Sequence, residues 1–374
     1  MQRLKQLREW LHSRFPDDTF TLEPASADAS FRRYFRATFD SKTLIVMDAP
    51  PLQEDCRPFL HVAELFEKAG AHVPHVHAQD LEQGFLLLSD LGNTTYLQAL
   101  LQDGAESAQK LYGAASDALI RIQLASRENE LPPYDEALLL REMRLFPEWY
   151  VGKHLGVALS EAKTAKLETV FARIIANNLA QPRVYVHRDY HSRNLMYIES
   201  PHLEPLGEAI SHSTRLPKTA TKSLVIPLAG EEANGESNLL SSPGILDFQD
   251  AVYGPITYDL VSLFKDAYIS WEEEQVIDWL VRYWEKARKA GLPVHQDFSE
   301  FYRDYEWMGV QRHLKVLGIF ARLSHRDGKD GYLKDLPLVM AYLRAACIRY
   351  IDLKPLLNLL DELEPHTTRE GYTF

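Results

Sequence analysis

Eight consecutive residues carry most of the chemistry in this sequence: His187-Arg188-Asp189-Tyr190-His191-Ser192-Arg193-Asn194, directly behind the apolar run Val184-Tyr185-Val186. They place a carboxylate and a side-chain amide five positions apart, a step that suits a tight loop turning both into one cleft. A second acid, Asp247, ends another short apolar stretch in Ile245-Leu246-Asp247-Phe248-Gln249. Phosphoryl transfer asks little covalent chemistry of a protein; it needs an oriented nucleophile and neutralisation of phosphate charge. A carboxylate that accepts a hydroxyl proton serves the first need. Mg²⁺ on hard oxygen ligands, usually with only one or two protein carboxylates, serves the second. Asp189 as base with Asn194 and Asp247 as metal ligands supplies that set.

These residues need elements to hold them. The N-terminal MQRLKQLREWLHSRF spaces Leu4, Leu7 and Leu11 on one helical face. Segments 31–39 and 43–49 read as strands, with turn residues before and between them. A helix is expected from Arg57 to Lys68, stopped by Gly70 and Pro74, followed by short strands near 75–79 and 84–89. From Thr94 onward helical periodicity dominates: Ala108, Leu111, Ala115, Leu119 and Ile122 form one stripe. Further helices are expected near 134–150, 160–179, 257–268, 271–291, 297–323 and 336–350. The fold class is α+β: an N-terminal helix and β-rich lobe over 1–92, and a helical lobe over 93–374, with a cleft between unlike halves where ligand sites favour lying. The 45 residues from Glu199 to Pro243 hold seven Ser, five Pro, three Gly and no aromatic residue. They read as a flexible surface insertion, with a short strand possible over 223–230.

The formal charge of −12 argues against wholesale nucleic-acid backbone binding, while permitting a local basic pocket for one nucleotide. Cys56 and Cys347 form no disulfide framework and no metal-ligand spacing. His72, His75 and His77 lack a supporting acid cluster, so no metal is expected there. No apolar run approaches the ~20 residues of a membrane span, and the N-terminus lacks a continuous apolar core; a cytoplasmic protein is expected.

The loop HRDYHSRN, together with Asp247-Phe248 and the later Gly254-Pro255-Ile256-Thr257-Tyr258-Asp259-Leu260, resembles the aminoglycoside phosphotransferase and choline kinase superfamily over roughly residues 20–350. The resemblance implies a two-lobed, protein-kinase-like fold with ATP in the cleft, Asp189 as catalytic base, and Asn194 and Asp247 on Mg²⁺. It implies that Asp259 braces the catalytic loop, although a first-turn acid favoured by the helix dipole is also compatible with its position. His187 reads as a brace rather than a base. Residues 85–92 resemble the strand into the hinge, which brings Asp90 to the nucleotide. Such kinases carry a strand lysine that meets the phosphates; here Met47 stands about there. Alternation puts Arg32 and Arg36 on one face of the preceding strand and Arg33 on the other, and Arg33 or Arg32 is the expected replacement. The glycine-free turn Ala27–Ser30, with Ser30 at its end, would cover the phosphates.

SADASFRRYFR and VMDAPP, taken with the two signatures, narrow the resemblance to bacterial anomeric sugar kinases acting on the C1 hydroxyl of N-acetylmuramate and N-acetylglucosamine in cell-wall recycling. Another small-molecule hydroxyl (an aminoglycoside, choline or an amino-alcohol) and a non-catalytic ATP-binding role are the alternatives. For the sugar, Glu142, Arg144, Trp149 and Arg312 are candidate contacts, with Lys315 a further cation. Trp149 could instead be a core aromatic, and Arg312 and Lys315 a solvated helix face. Oligomeric state and the preference between the two sugars are not legible.

Overall fold

The computed structural model describes residues 2–26, 31–198 and 243–364. Helix α1 (Gln2–Arg14) precedes strands β1 (Thr21–Ser26), β2 (Arg33–Thr38) and β3 (Thr43–Asp48), helix α2 (Arg57–Lys68), and strands β4 (Val76–Asp80) and β5 (Phe85–Ser89). The five strands make one antiparallel sheet in the order β1-β2-β3-β5-β4. One sheet face buries Phe35, Ala37, Leu44, Val46, Phe85 and Leu87 against Leu7, Trp10 and Leu11 of α1, a small core of its own. The other face meets α2 and the cleft. Met47 lies on that second side, fully buried in the main core between Tyr34 and Leu86.

The larger half follows: α3 (Tyr96–Leu124), α4 (Glu136–Met143), a π-helical segment Phe146–His154, α5 (Glu161–Ala180), and strands β6 (Arg183–Val186), β7 (Leu195–Met196), β8 (Gly244–Ile245) and β9 (Val252–Pro255). Then come α6 (Tyr258–Phe264), α7 (Glu273–Lys289), α8 (Phe298–Asp327), a 3₁₀ segment Asp330–Asp335, α9 (Leu336–Arg349), a short 3₁₀ turn Ile351–Leu353 and α10 (Lys354–Leu363). The helix expected over 134–150 is interrupted because Pro147 lacks the N–H that a continuous helix would use. The chain resumes as the π-helical segment, which packs on α8 where Gly318 leaves room: a Cβ there would sit 2.4 Å from the carbonyl carbon of Leu145. Helix α8 is buried along most of its length and carries Gln311, Arg312, His313 and Lys315 into the interior.

The two halves are joined by α2. Phe59 and Phe66 pack on Phe248, with ring centroids 4.8 and 6.0 Å apart, and Phe66 stacks on His187 at 6.2 Å. Beneath the cleft α3 begins with a reciprocal cap: Thr95 Oγ1 accepts the Gln98 N–H at 3.2 Å and Gln98 Oε1 accepts the Thr95 N–H at 2.8 Å. Most of the sequence-predicted insertion, including the strand expected over 223–230, lies outside the described residues, as does Ser30 with the rest of its turn.

Candidate active site

The floor of the cleft is two antiparallel pairs, β6 with β9 and β7 with β8, whose connecting loops carry Asp189 and Asp247. The loops are stitched through backbone. Leu246 N–H donates to Asn194 O at 2.9 Å, and Asn194 N–H to His191 O at 2.9 Å. Asn194 Nδ2 donates to the Asp189 carbonyl at 3.0 Å and lies 3.4 Å from Asp247 Oδ2. That use of the amide nitrogen leaves Oδ1 as the hard oxygen Asn194 can offer. Gln249 Nε2 holds Asp247 Oδ1 at 2.8 Å. The structure therefore joins the Asp189 backbone, Asn194 and the Asp247 carboxylate, with Asp247 in the left-handed region at φ 63°. One carboxylate and one amide oxygen beside an ionised acid suit Mg²⁺, which takes few protein ligands and keeps water or phosphate oxygens for the rest.

Asp259, in the first turn of α6, is fully inside. Its two oxygens accept the N–H groups of His187 at 2.7 Å and Arg188 at 3.0 Å. Burial pushes its pKa up to about 7 against both amides. His187 Nδ1 accepts the Asp189 N–H at 3.2 Å while Nε2 donates to Leu246 O at 3.0 Å, which requires the Nε2–H tautomer. Burial lowers His187 to about 4, so it is neutral, with both nitrogens occupied. It ties one loop to the other.

Sequence reasoning missed the charge lattice behind Asp189. Arg188 sits at φ 77°, a costly conformation for a residue with a Cβ. It is held there by Asp259 at its N–H, by Arg312 Nη1 at its carbonyl (2.8 Å), and by Glu142 at its guanidinium. Lys315 Nζ lies 3.0 Å from Glu142 and donates to the Tyr258 hydroxyl at 2.9 Å. Tyr134 also bonds Glu142. Burial opposes ionisation of Asp189, but Lys315 and then Arg312 outweigh it and hold its pKa at about 2. Glu142 is likewise held at about 2: burial again resists, and Lys315 and Arg188 prevail. Spacing on α8 was the available signal, since Arg312 and Lys315 are three apart on one face. Asp266, which accepts the Ser192 N–H at 3.0 Å, is a second loop brace, seven residues after Asp259.

Several expected contacts are corrected. Arg33 is on the α1 side of the sheet, its guanidinium committed to buried Asp48 together with Arg3, so it does not replace the strand lysine. Arg32 shares the parity of Arg36, which does line the cleft, but Arg36 grips Asp90 at 2.6 and 3.0 Å and the Gly92 carbonyl at 3.1 Å. The Asp90 carboxylate is thus spent on an ion pair at the hinge. Arg144 is exposed and pairs with Glu168 of α5, because its position in the turn after α4 faces outward. Trp149 is partly buried against the main core. Glu142 and Arg312 are interior members of the lattice above rather than free groups awaiting a sugar, and Lys315 is likewise buried, not on a solvated face.

Between sheet and floor lies a cleft of about 370 Å³, lined by Tyr34, Ile45, Leu88 and Leu91 above and by Asn194 and Asp247 below. It sets apolar side chains from the sheet against the side-chain oxygens of Asn194 and Asp247 from the floor, the polarity of a nucleoside carrying phosphates.

Residues 21–203 and 238–298 match the family model described as the phosphotransferase enzyme family. The chain belongs to that family. It is 47% identical to the N-acetylmuramate/N-acetylglucosamine kinase of Neisseria meningitidis serogroup B, over all of both chains. It is 45% identical to the protein of that name from Pseudomonas putida, over 97% of each. Among solved structures, choline kinase LicA from Streptococcus pneumoniae superposes with a TM-score of 0.57 at 12% identity, covering 91% of this chain and 99% of that one. The GDP complex of aminoglycoside 2'-phosphotransferase-IIIa superposes equally, at 0.57 and 13% identity, with the same coverage. At such identities the likeness establishes the two-lobed kinase fold.

Proposed function

We propose that this phosphotransferase uses ATP and Mg²⁺ to phosphorylate the anomeric C1 hydroxyl of N-acetylmuramate and N-acetylglucosamine, in the cytoplasm and in the recycling of cell-wall sugars. The observation that carries the chemistry is that Asn194, bonded to the Asp189 backbone, meets Asp247 from a separate loop, with Asn194 and Asp247 both lining the cleft. The choice of sugar rests on the names of relatives that share nearly half of all residues over the full chain.

Asp189 stays ionised at neutral pH and orients the C1 hydroxyl. The hydroxyl oxygen attacks the γ-phosphorus, the bond from that phosphorus to the β,γ-bridging oxygen breaks, ADP departs, and the hydroxyl proton passes to Asp189. An anomeric hydroxyl is more acidic than an ordinary alcohol, so a weak carboxylate base suffices. Asn194 and Asp247 would hold Mg²⁺, which neutralises charge on the β- and γ-phosphates when bound. Asp259 and His187 fix the loop so that Asp189 needs little reorganisation. In this reading residues 1–92 form the nucleotide-binding lobe and residues 93–374 the catalytic and acceptor-binding lobe.

A coupled ADP-release assay with a panel of acceptors tests this reading. Turnover is expected with N-acetylmuramate and N-acetylglucosamine and not with kanamycin or choline. Turnover of kanamycin or choline with neither sugar used would contradict it. NMR of the product should show phosphate on C1.

A further inference from the structure

Beside the transfer centre the catalytic loop meets an aromatic wall. Tyr268, just after α6, lies 5.5 Å from the His191 ring and 6.1 Å from Phe320 of α8, and Phe320 lies 5.1 Å from Tyr332 of the 3₁₀ segment. The guanidinium of Arg193 lies over Tyr268, 3.7 Å from its centroid, and 5.9 Å from that of Tyr332. Arg193 also lines the cleft next to Asn194. Two polar atoms in this neighbourhood, His191 Nδ1 and Asp335 Oδ2, are buried with no hydrogen-bond partner among the described residues.

Arg193 differs from the other cations around the site. Arg36 is paired with Asp90, Arg188 with Glu142, and Lys315 with Glu142; Arg312 is bonded to the Arg188 carbonyl and to Tyr258. Arg193 has no hydrogen-bond acceptor and no ion pair among the described residues. Asp335 senses its charge without making an ion pair with it. A guanidinium centred over a ring, partly exposed and unpaired, keeps N–H donors of its fork for a planar anion. Stacking faces with unpartnered polar atoms are what a sugar ring uses.

The two sugars named for the relatives differ in one respect: N-acetylmuramate bears a lactyl ether with a carboxylate, and N-acetylglucosamine is neutral. We propose that Arg193, stacked on Tyr268, binds that carboxylate and sets the enzyme's preference between the anionic and the neutral acceptor. This rests on the sugar-kinase reading above.

The test is kcat/KM for both sugars at saturating MgATP, in wild type, Arg193→Gln and Arg193→Lys. In Arg193→Gln the ratio of N-acetylmuramate to N-acetylglucosamine efficiency should fall about tenfold or more, carried by KM for N-acetylmuramate, as for loss of a charge-assisted hydrogen bond. Arg193→Lys should recover part of the ratio. Added salt should compress the wild-type ratio toward that of Arg193→Gln. An unmoved ratio, with both efficiencies lowered together, overturns the inference and makes Arg193 a support of transfer or folding. A rise confined to KM for ATP overturns it in favour of a phosphate contact. A wild-type enzyme that uses neither sugar overturns the proposed function and this inference with it; one that uses both while the ratio stays fixed in the variants overturns this inference alone.

Discussion

The floor of the cleft and the sheet above it treat charge in opposite ways. On the floor, the backbone around Asp189 is gripped by Asp259, His187 and Arg312, while among the described residues the Asp189 carboxylate is held only by the field of Lys315, Arg312 and their neighbours. In the sheet the guanidinium heads are gripped: Arg33 and Arg3 by Asp48, Arg36 by Asp90. Asp189, the proposed base, is positioned through its backbone. A group that holds the fold is paired head to head. Basic residues in a strand beside a nucleotide cleft therefore do not by themselves indicate phosphate binding.

The comparison can be broken at several points. Asp189→Asn should lower kcat about 10³-fold, within the range for loss of a positioned acid or base, with ATP affinity and melting temperature nearly unchanged. A comparable loss of stability would make Asp189 a structural residue after all. Asp259→Ala strands two buried amides in the loop. It should cost about 2–5 kcal/mol in urea unfolding and lower kcat as the loop loosens. Retained kcat would show that the brace is dispensable. Asp48→Ala leaves Arg3 and Arg33 without their shared acid and should cost about 2 kcal/mol, reduced from a fully buried pair because both arginines are partly exposed, while KM for ATP stays fixed. A raised KM for ATP in Arg33→Ala would return Arg33 to the nucleotide. Arg144→Ala removes one exposed ion pair and should change stability by under about 0.5 kcal/mol and activity not at all; a raised acceptor KM would restore its place in the site.

Much of the architecture was legible because helical periodicity and turn residues act locally. The helix expected over Arg57 to Lys68 has those bounds, and the strands at 31–39 and 43–49 were displaced only at their ends. Strand β1 escaped notice because Pro24 lies inside it, which an edge strand tolerates next to a bulge. Helix α10 escaped with it, lying beyond the last stripe that was followed. The placement of Asp189 and Asp247 on two adjoining loops was readable because each follows a short apolar strand. The fate of the cations was not, since it depends on register. Arg33 lies directly across from Asp48 on the neighbouring strand, a pairing visible only once β2 and β3 are aligned. The Glu142–Arg188–Lys315 lattice joins residues 46 and 127 positions apart from Arg188, and no local pattern announces it.

The central claim is that side chains from two loops form one metal-nucleotide site. Titrating Mg²⁺ against ATP binding by calorimetry in wild type, Asn194→Ala, Asp247→Asn and the double variant tests it most directly. Each single change should raise the Mg²⁺ needed for half-maximal binding about tenfold, and the double variant should fall well short of the product of the two, as for ligands of one ion. Unchanged Mg²⁺ dependence in either single variant, or fully multiplicative effects in the double, would contradict a shared site.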